Sequence, residues 1–408
     1  MRRVVVTGMA GFSPIGNDWA TIEHHLRNGI TGIRTVTEWD KYPDLNTRLG
    51  APVPDFELPA HYTRKRVRSM GRVALMSTRV TELALADAGL LDDPTIQDGR
   101  MGVSYGSSTG SPDAVADFGN MLLNHASGGI NANSYLKMMS HTAAVNIGVF
   151  FSLKGRVIPT SSACTSGSQG IGYAYEAIKY GHQDLMVAGG AEELCATEAA
   201  VFDTLYATST RNDEPQLTPR PFDRDRDGLV IGEGACTLIL EERQHALARG
   251  ARIHAEIVGF ATNSDGSHVT QPEAETMYRA MAQALENAAL CPDDVGYISA
   301  HGTATDRGDI AESQATYRLF GDSTPISAFK SFTGHTLGAC GALETLVAIE
   351  MMKRGWFHPT VNLDNIDEAC APLDYIRGAG RQLEVECVMN NNFAFGGINT
   401  SLLLVRGD

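Results

Sequence analysis

The chain has 408 residues, an ordinary hydrophobic content of 43% and a formal net charge of −15. That length allows one large core or two fused units of roughly 100–200 residues each, and the acidic balance argues against general nucleic-acid binding. No apolar run reaches the roughly 20 residues of a membrane span, and the seven scattered cysteines hold no CxxC pair, which predicts a reducing cytoplasm rather than a disulfide scaffold.

In chain order, Val4–Gly8 reads as a buried strand, and its apolar part is too short for a signal peptide. One basic run, Arg64-Lys65-Arg66-Val67-Arg68, interrupts the acidic background, and charge alone reads it as a solvated helix face. Residues 72–89 carry apolar side chains at helical spacing, and 101–105 form a strand ending in Gly106-Ser-Ser-Thr-Gly110. A helix opens at Cys164 and runs to about residue 180. A strand follows at 184–188, and 228–240 reads as paired strands. Between them, the Pro-, Asp- and Arg-rich stretch 212–227 predicts a long loop near a site entrance.

The second half repeats this order. It has a strand at 254–260, a helix at 276–290, a strand at 295–299, a helix opening at His335 and running to about 354, and paired strands over 390–405. Alternating strands and helices predict an α/β architecture with strands buried on both faces. The repetition predicts two similar units, residues 1–250 and 251–408, with the functional segments meeting between them.

Three segments carry chemistry. Pro159-Thr-Ser-Ser-Ala-Cys164-Thr-Ser-Gly sets a cysteine among very small residues ahead of a helix, whose N-terminus favours thiolate over thiol. Ser299-Ala-His301-Gly-Thr-Ala-Thr305 and Lys330-Ser-Phe-Thr-Gly-His335-Thr-Leu-Gly338 centre on histidines in Gly/Thr-rich settings. The bland reading of each is a packed cysteine or a satisfied structural histidine, and the other cysteines read that way. The small neighbours of Cys164 leave room for a thioester carbonyl, and the three segments together suggest carbon–carbon bond formation on thioesters. A zinc site lacks its usual spacing here. Two further motifs compete. Thr7-Gly-Met-Ala-Gly11 departs from the dinucleotide fingerprint at Ala10 and is stopped by Pro14. Gly106-Ser-Ser108-Thr-Gly110 fits a nucleophile elbow, making an α/β-hydrolase with Ser108 the rival enzyme reading. It leaves Cys164 and one histidine segment unexplained.

Together with Glu344 and Phe393-Ala-Phe395-Gly-Gly-Ile-Asn399, these segments resemble the β-ketoacyl-acyl-carrier-protein synthases, elongating condensing enzymes of the thiolase superfamily. Cys164-Thr-Ser-Gly with Ile171-Gly-Tyr-Ala174 resembles type II polyketide and aryl-polyene ketosynthases more than housekeeping elongases. The resemblance implies a duplicated thiolase-like fold, layered α-β-α-β-α around two central mixed five-stranded sheets. It implies a decarboxylative condensation in which Cys164 is acylated, His301 and His335 stabilise the malonyl enolate, and Lys330 and Glu344 order the histidines. Phe395 is the implied gate and, with Cys164, the source of the oxyanion-hole amides. Thr303, Thr305 and Thr270 are implied contacts of a phosphopantetheine arm, while Thr109 and Phe393 are implied to line the substrate pocket. Lys65 and Arg68, with Arg211, are implied docking residues for an acyl carrier protein, which reverses the bland reading of the basic run. No bound cofactor or metal is implied. The implied assembly is a homodimer, or a heterodimer with a related chain-length subunit. A carrier-binding subunit without turnover is the non-enzymatic rival.

Overall fold

The computed structural model describes residues 1–54 and 56–407. The first half runs β1 (Val4–Phe12), α1 (Arg72–Asp87), β2 (Met101–Gly106), β3 (Val157–Thr160), α2 (Ser166–Lys179), β4 (Leu185–Glu192), α3 (Ala196–Asp203) and β5 (Gly234–Glu242). The second runs β6 (Ala255–Ser264), α4 (Ala274–Ala288), β7 (Tyr297–Ser299), α5 (Asp306–Phe320), β8 (Pro325–Ser327), α6 (Cys340–Arg354), β9 (Asp374–Tyr375), β10 (Cys387–Ala394) and β11 (Ile398–Arg406).

The halves share one topology. Strands β3-β2-β4 are parallel, and β5 and β1 continue antiparallel. In the second half β8-β7-β10 are parallel, β11 and β6 continue antiparallel, and β9 adds an edge strand beside β8. These are the mixed sheets expected. One detail was not foreseen: Val4–Val6 of β1 pair with Ala255–Ile257 of β6, so the two sheets join into a single 11-stranded ladder.

Helix character follows from burial. In α1, Val73, Met76, Val80 and Ala84 fall on one face and pack on β1 and β5. In α4, Met277, Ala280, Met281 and Ala284 do the same against β6 and β11. By contrast α6 is buried on every side from Cys340 to Ile349, and α2 nearly so. A helix apolar all round belongs inside, and these two pack on each other between the sheets. The three largest clusters of apolar side chains lie one under α1, one under α4, and one at the centre containing Ile171, Tyr175, Leu343 and Val347. Each fully buried Leu, Ile or Val there stabilises the fold by about 1.5–3 kcal/mol.

The stretch 228–240 differs from its sequence reading. Only Gly234–Glu242 joins the main sheet, whereas Ile231–Gly232 pairs with Leu49–Ala51 in a separate three-stranded sheet. The Glu233 carboxylate explains the break. It is buried and accepts from Arg72 Nη2 (2.7 Å) and from the Val53 N–H (2.9 Å), which pins the chain away from a hairpin. The expected pair over 390–405 is present as the β10–β11 hairpin, turning at Phe395-Gly-Gly397. Among the described residues no helix is long and apolar enough to cross a membrane.

Candidate active site

Three loops deliver three side chains to one point. Cys164 sits in a 3-10 turn, Ala163–Thr165, that feeds directly into α2. His301 follows the end of β7, and His335 follows the short helix Lys330–Thr333 on the way to α6. Each loop contains a non-glycine residue in the left-handed region: Ala163 (φ 49°), Ala304 (φ 63°) and Leu337 (φ 45°). Such residues cost roughly 1–3 kcal/mol each and persist only where surroundings over-determine them.

The surroundings are polar and specific. At the cysteine turn, Ser162 N–H donates to Ser166 Oγ (2.9 Å), Ser166 Oγ donates to Ala163 O (2.7 Å), and Thr165 Oγ1 donates to Ser162 O (2.7 Å). The small hydroxyl residues of the motif therefore hold its shape. At the His301 loop, the N–H groups of His301 and Gly302 donate to the two oxygens of Glu312 (2.7 and 2.8 Å), and those of Thr303 and Ala304 donate to Asp309 Oδ1 (both 3.1 Å). At the His335 loop, His335 N–H donates to Val230 O (2.7 Å) and Gly338 N–H to Glu192 Oε2 (3.1 Å).

His335 Nε2 lies 2.9 Å from Cys164 Sγ. The two imidazole centroids are 5.2 Å apart with their planes at 87°. Neighbours fix both tautomers. The Lys330 ammonium, which only donates, is 3.1 Å from His301 Nδ1, so the His301 proton resides on Nε2. Leu337 N–H donates to His335 Nδ1 (3.3 Å), which leaves the proton on Nε2 facing the sulfur. Lys330 is itself buried and paired with Glu344 at 2.5 Å, and Asn392 Nδ2 donates to the other Glu344 oxygen at 2.7 Å.

Electrostatics follow from burial first. Burial, aided by the nearby Lys330 charge, holds both imidazoles well below the usual histidine range, so both are neutral at pH 7. Burial also pushes the Cys164 thiol up to about 11, although the Phe395 and Cys164 N–H groups and the Lys330 charge pull the other way. Desolvation thus opposes the thiolate that the helix N-terminus favours. For Lys330, burial opposes the charge, but the neighbouring Cys340 and Glu344 prevail and the shift is upward. Ligand atoms of Cys164, His301 and His335 lie within 4.8 Å of one another, a spacing open to a metal ion. The Lys330 ammonium bonded to His301 places a full positive charge beside that position and opposes a dication.

These side chains open into a cavity of about 630 Å³ that is also lined by Thr303, Thr305, Thr270, Phe393 and Phe395. The end of the long 212–227 loop, Arg226 and Asp227, lines it as well. The Phe395 ring packs edge-to-face on Phe202 (5.8 Å, 77°). Thr109 is not among the lining residues. Its hydroxyl donates to Glu198 (2.8 Å), a carboxyl that burial pushes well up. Ser108 donates its N–H (2.7 Å) and its hydroxyl to buried Glu192, and no hydrogen bond joins it to a histidine among the described residues, so the elbow reading loses its base. Lys65 and Arg68 are exposed and form no hydrogen bond or ion pair among the described residues. Arg68 borders a separate polar depression with Asp113 and Lys137. Arg211 is tied to its own loop through Asp225 O (2.9 Å) and Asp227 (3.5 Å).

Sequence reasoning missed Glu312, Asp309, Glu192 and Asn392. For the first two a signal existed: an Asp-x-x-Glu pair falls on one face of α5, directly after the His301 loop. Burial pushes Asp309 up to about 6 and Glu312 up to about 8. Arg226, also missed, is buried between Asp309 (3.8 Å) and Asp367 (2.6 Å).

Comparison with known proteins agrees with this geometry. Residues 1–246 match the model of the beta-ketoacyl synthase N-terminal domain, and 254–364 match that of its C-terminal domain. The 3-oxoacyl-(acyl-carrier-protein) synthase 2 of Coxiella burnetii is 36% identical over 99% of both chains. A crystal structure of a beta-ketoacyl synthase from Burkholderia phymatum is 61% identical, with a TM-score of 0.98 and full coverage of both chains. A type II polyketide ketosynthase, solved with its acyl-carrier protein and bound to a hexaketide, is 31% identical with a TM-score of 0.88 and full coverage of both chains. The chain belongs to the beta-ketoacyl synthase family.

Proposed function

We propose that the chain condenses an acyl group with malonyl-acyl carrier protein, releasing CO₂ and a 3-oxoacyl-carrier, with Cys164 as nucleophile. One observation carries this reading: two neutral imidazoles aim their Nε2–H groups at the same cavity as a single reactive sulfur, with His335 Nε2 at 2.9 Å from it. The Cys164 sulfur attacks the thioester carbonyl of an acyl-carrier. The C–S bond to the pantetheine breaks, and the proton lost by Cys164 ends on the departing thiol. Backbone N–H groups of Cys164 and Phe395 serve the developing oxyanion, and both already act on the sulfur. Malonyl-carrier then enters. His301 and His335 donate to its thioester carbonyl as the carboxylate C–C bond breaks, so the electron pair becomes an enolate. That carbon attacks the acyl-Cys164 carbonyl, and the thiolate leaves.

Lys330, Glu344 and Asn392 position His301. Thr270, Thr303 and Thr305 bind the arm, Phe395 gates the cavity, and Phe393 lines the acyl site. Lys65, Arg68 and Arg211 serve carrier docking. No bound cofactor is needed, because the thioester and the loss of CO₂ supply activation. The unpaired cysteines support a cytoplasmic location. The working unit is a dimer with a second copy or a related chain-length chain, supported by the exposed Leu122 and Leu123 on the helix Pro112–Asn124.

The test incubates the chain with acyl-carrier and malonyl-carrier and follows labelled residues and products by mass spectrometry. Acyl on Cys164 with a 3-oxoacyl product is expected. Acyl on Ser108 with free acid, or carrier binding without covalent change, overturns the proposal. A competition between saturated, polyunsaturated and aryl-primed carriers then separates fatty-acid, polyketide and aryl-polyene roles.

A further inference from the structure

The helix α3 ends at the mouth of the catalytic cavity in an unusual way. Ala207 N–H donates to Phe202 O (3.0 Å) and Tyr206 N–H to Asp203 O (3.0 Å), the paired bonds of a Schellman cap. The residue at the left-handed position of that cap is ordinarily glycine, because a Cβ is penalised there. Here it is Tyr206, at φ 53°. Its side chain is 89% exposed, so burial within the chain returns almost nothing for this strained backbone.

Tyr206 does not stand alone. Leu205, Val269 and Phe395 are also exposed, and all of them border the same cavity. Arg307, on the same rim, is exposed and forms no hydrogen bond or ion pair among the described residues. An apolar collar with a free cation beside it therefore surrounds the opening through which a tethered thioester must pass. Whatever bears the tether has to rest on this rim while its arm is inside.

We propose that Tyr206, with Leu205 and Val269, forms an apolar docking collar for the acyl carrier protein, where apolar carrier side chains cover the ring and a carrier carboxylate meets Arg307. This rests on the reading of Cys164 as the acylated nucleophile. Aromatic side chains with few rotatable bonds are favoured as interface anchors, since they bury large area at low entropic cost. The collar adds an apolar contact at the mouth to the separate basic patch of Lys65 and Arg68.

Acylation of Cys164 is followed by intact-protein mass spectrometry with two donors, an octanoylated acyl carrier protein and octanoyl-N-acetylcysteamine, in the wild type, Y206G, Y206A and Y206F. Y206G is expected to melt no lower than the wild type, because glycine relieves the left-handed strain. In Y206G and Y206A the rate from the carrier should fall about tenfold relative to the rate from the small donor. Y206F should keep carrier transfer. Equal loss on both donors, no loss on the carrier, a lowered melting temperature in Y206G, or loss in Y206F matching that in Y206G overturns the collar. No acylation of the wild type by either donor overturns the reading of Cys164 itself, a result distinct from all of these.

Discussion

Lys330 adds to burial in setting the protonation of both imidazoles, and it orients His301. Its ammonium fixes the His301 tautomer by a 3.1 Å contact, and its charge helps burial hold both histidines neutral. A histidine whose pKa is lowered stays neutral as pH falls through 6.5, so the wild type should keep its malonyl-decarboxylation rate across that value. Removing Lys330 leaves burial but deletes the charge, so the histidine pKa rises toward its ordinary value. In Lys330→Met the rate should fall at a higher pH than in the wild type, measured from pH 5 to 8. An unpaired buried Glu344 would cost about 3–5 kcal/mol, and Lys330→Met/Glu344→Gln avoids that penalty while testing the same shift. An identical acid limb in the wild type and the double variant would show that burial alone sets the imidazole pKa.

Elements meet at this site because three glycines let their backbones touch. A Cβ on Gly190, in β4, would lie 2.1 Å from Gly338 O and 2.8 Å from Gly167 Cα. Gly167 opens α2 beside Cys164, and Gly338 follows His335, so β4 clamps both catalytic loops. Gly190→Ala should destabilise the protein by roughly 1–3 kcal/mol or more through overpacking against backbone that cannot yield. Thermal unfolding should show a lowered midpoint, and Cys164 acylation should slow at temperatures where the variant is folded. The sequence reader sees such glycines as permissive turn residues, because close approach between segments about 150 residues apart leaves no local pattern. Element order and type were legible, since burial on one face prints a period of 3.6 and burial on two faces prints a continuous apolar run. The site triad was legible too, because a nucleophile among small residues is a local composition. What was not legible depended on distant partners. The desolvation that raises Cys164, the Glu312 and Asp309 carboxylates under the His301 loop, and the Glu233 anchor that prevents a hairpin at 228–240 are all of that kind.

At the scale of the whole molecule, the outer face of the helix Pro112–Asn124 is the clearest unfinished surface. Leu122 and Leu123 are 74% and 80% exposed, and Val115 and Met121 are exposed on the same helix. Leu122→Glu/Leu123→Glu should shift the chain to a monomer in sedimentation velocity without unfolding it, since neither side chain is packed inside. A dimer unchanged by these charges would place the subunit contact elsewhere. The basic patch is tested on the same scale. Lys65→Glu/Arg68→Glu should weaken acylation from the carrier while sparing small soluble thioesters, because neither residue borders the cavity. Equal losses on both donors would count against docking there.

Cys164 belongs to one repeat and both imidazoles to the other, and the repeats meet along the three-residue β1–β6 pairing and the α2–α6 contact. A solitary repeat thus holds either the electrophile's anchor or the enolate's donors, never both. Reactivity here is a property of the seam, so anything that pries the repeats apart silences the centre without touching a single one of its atoms.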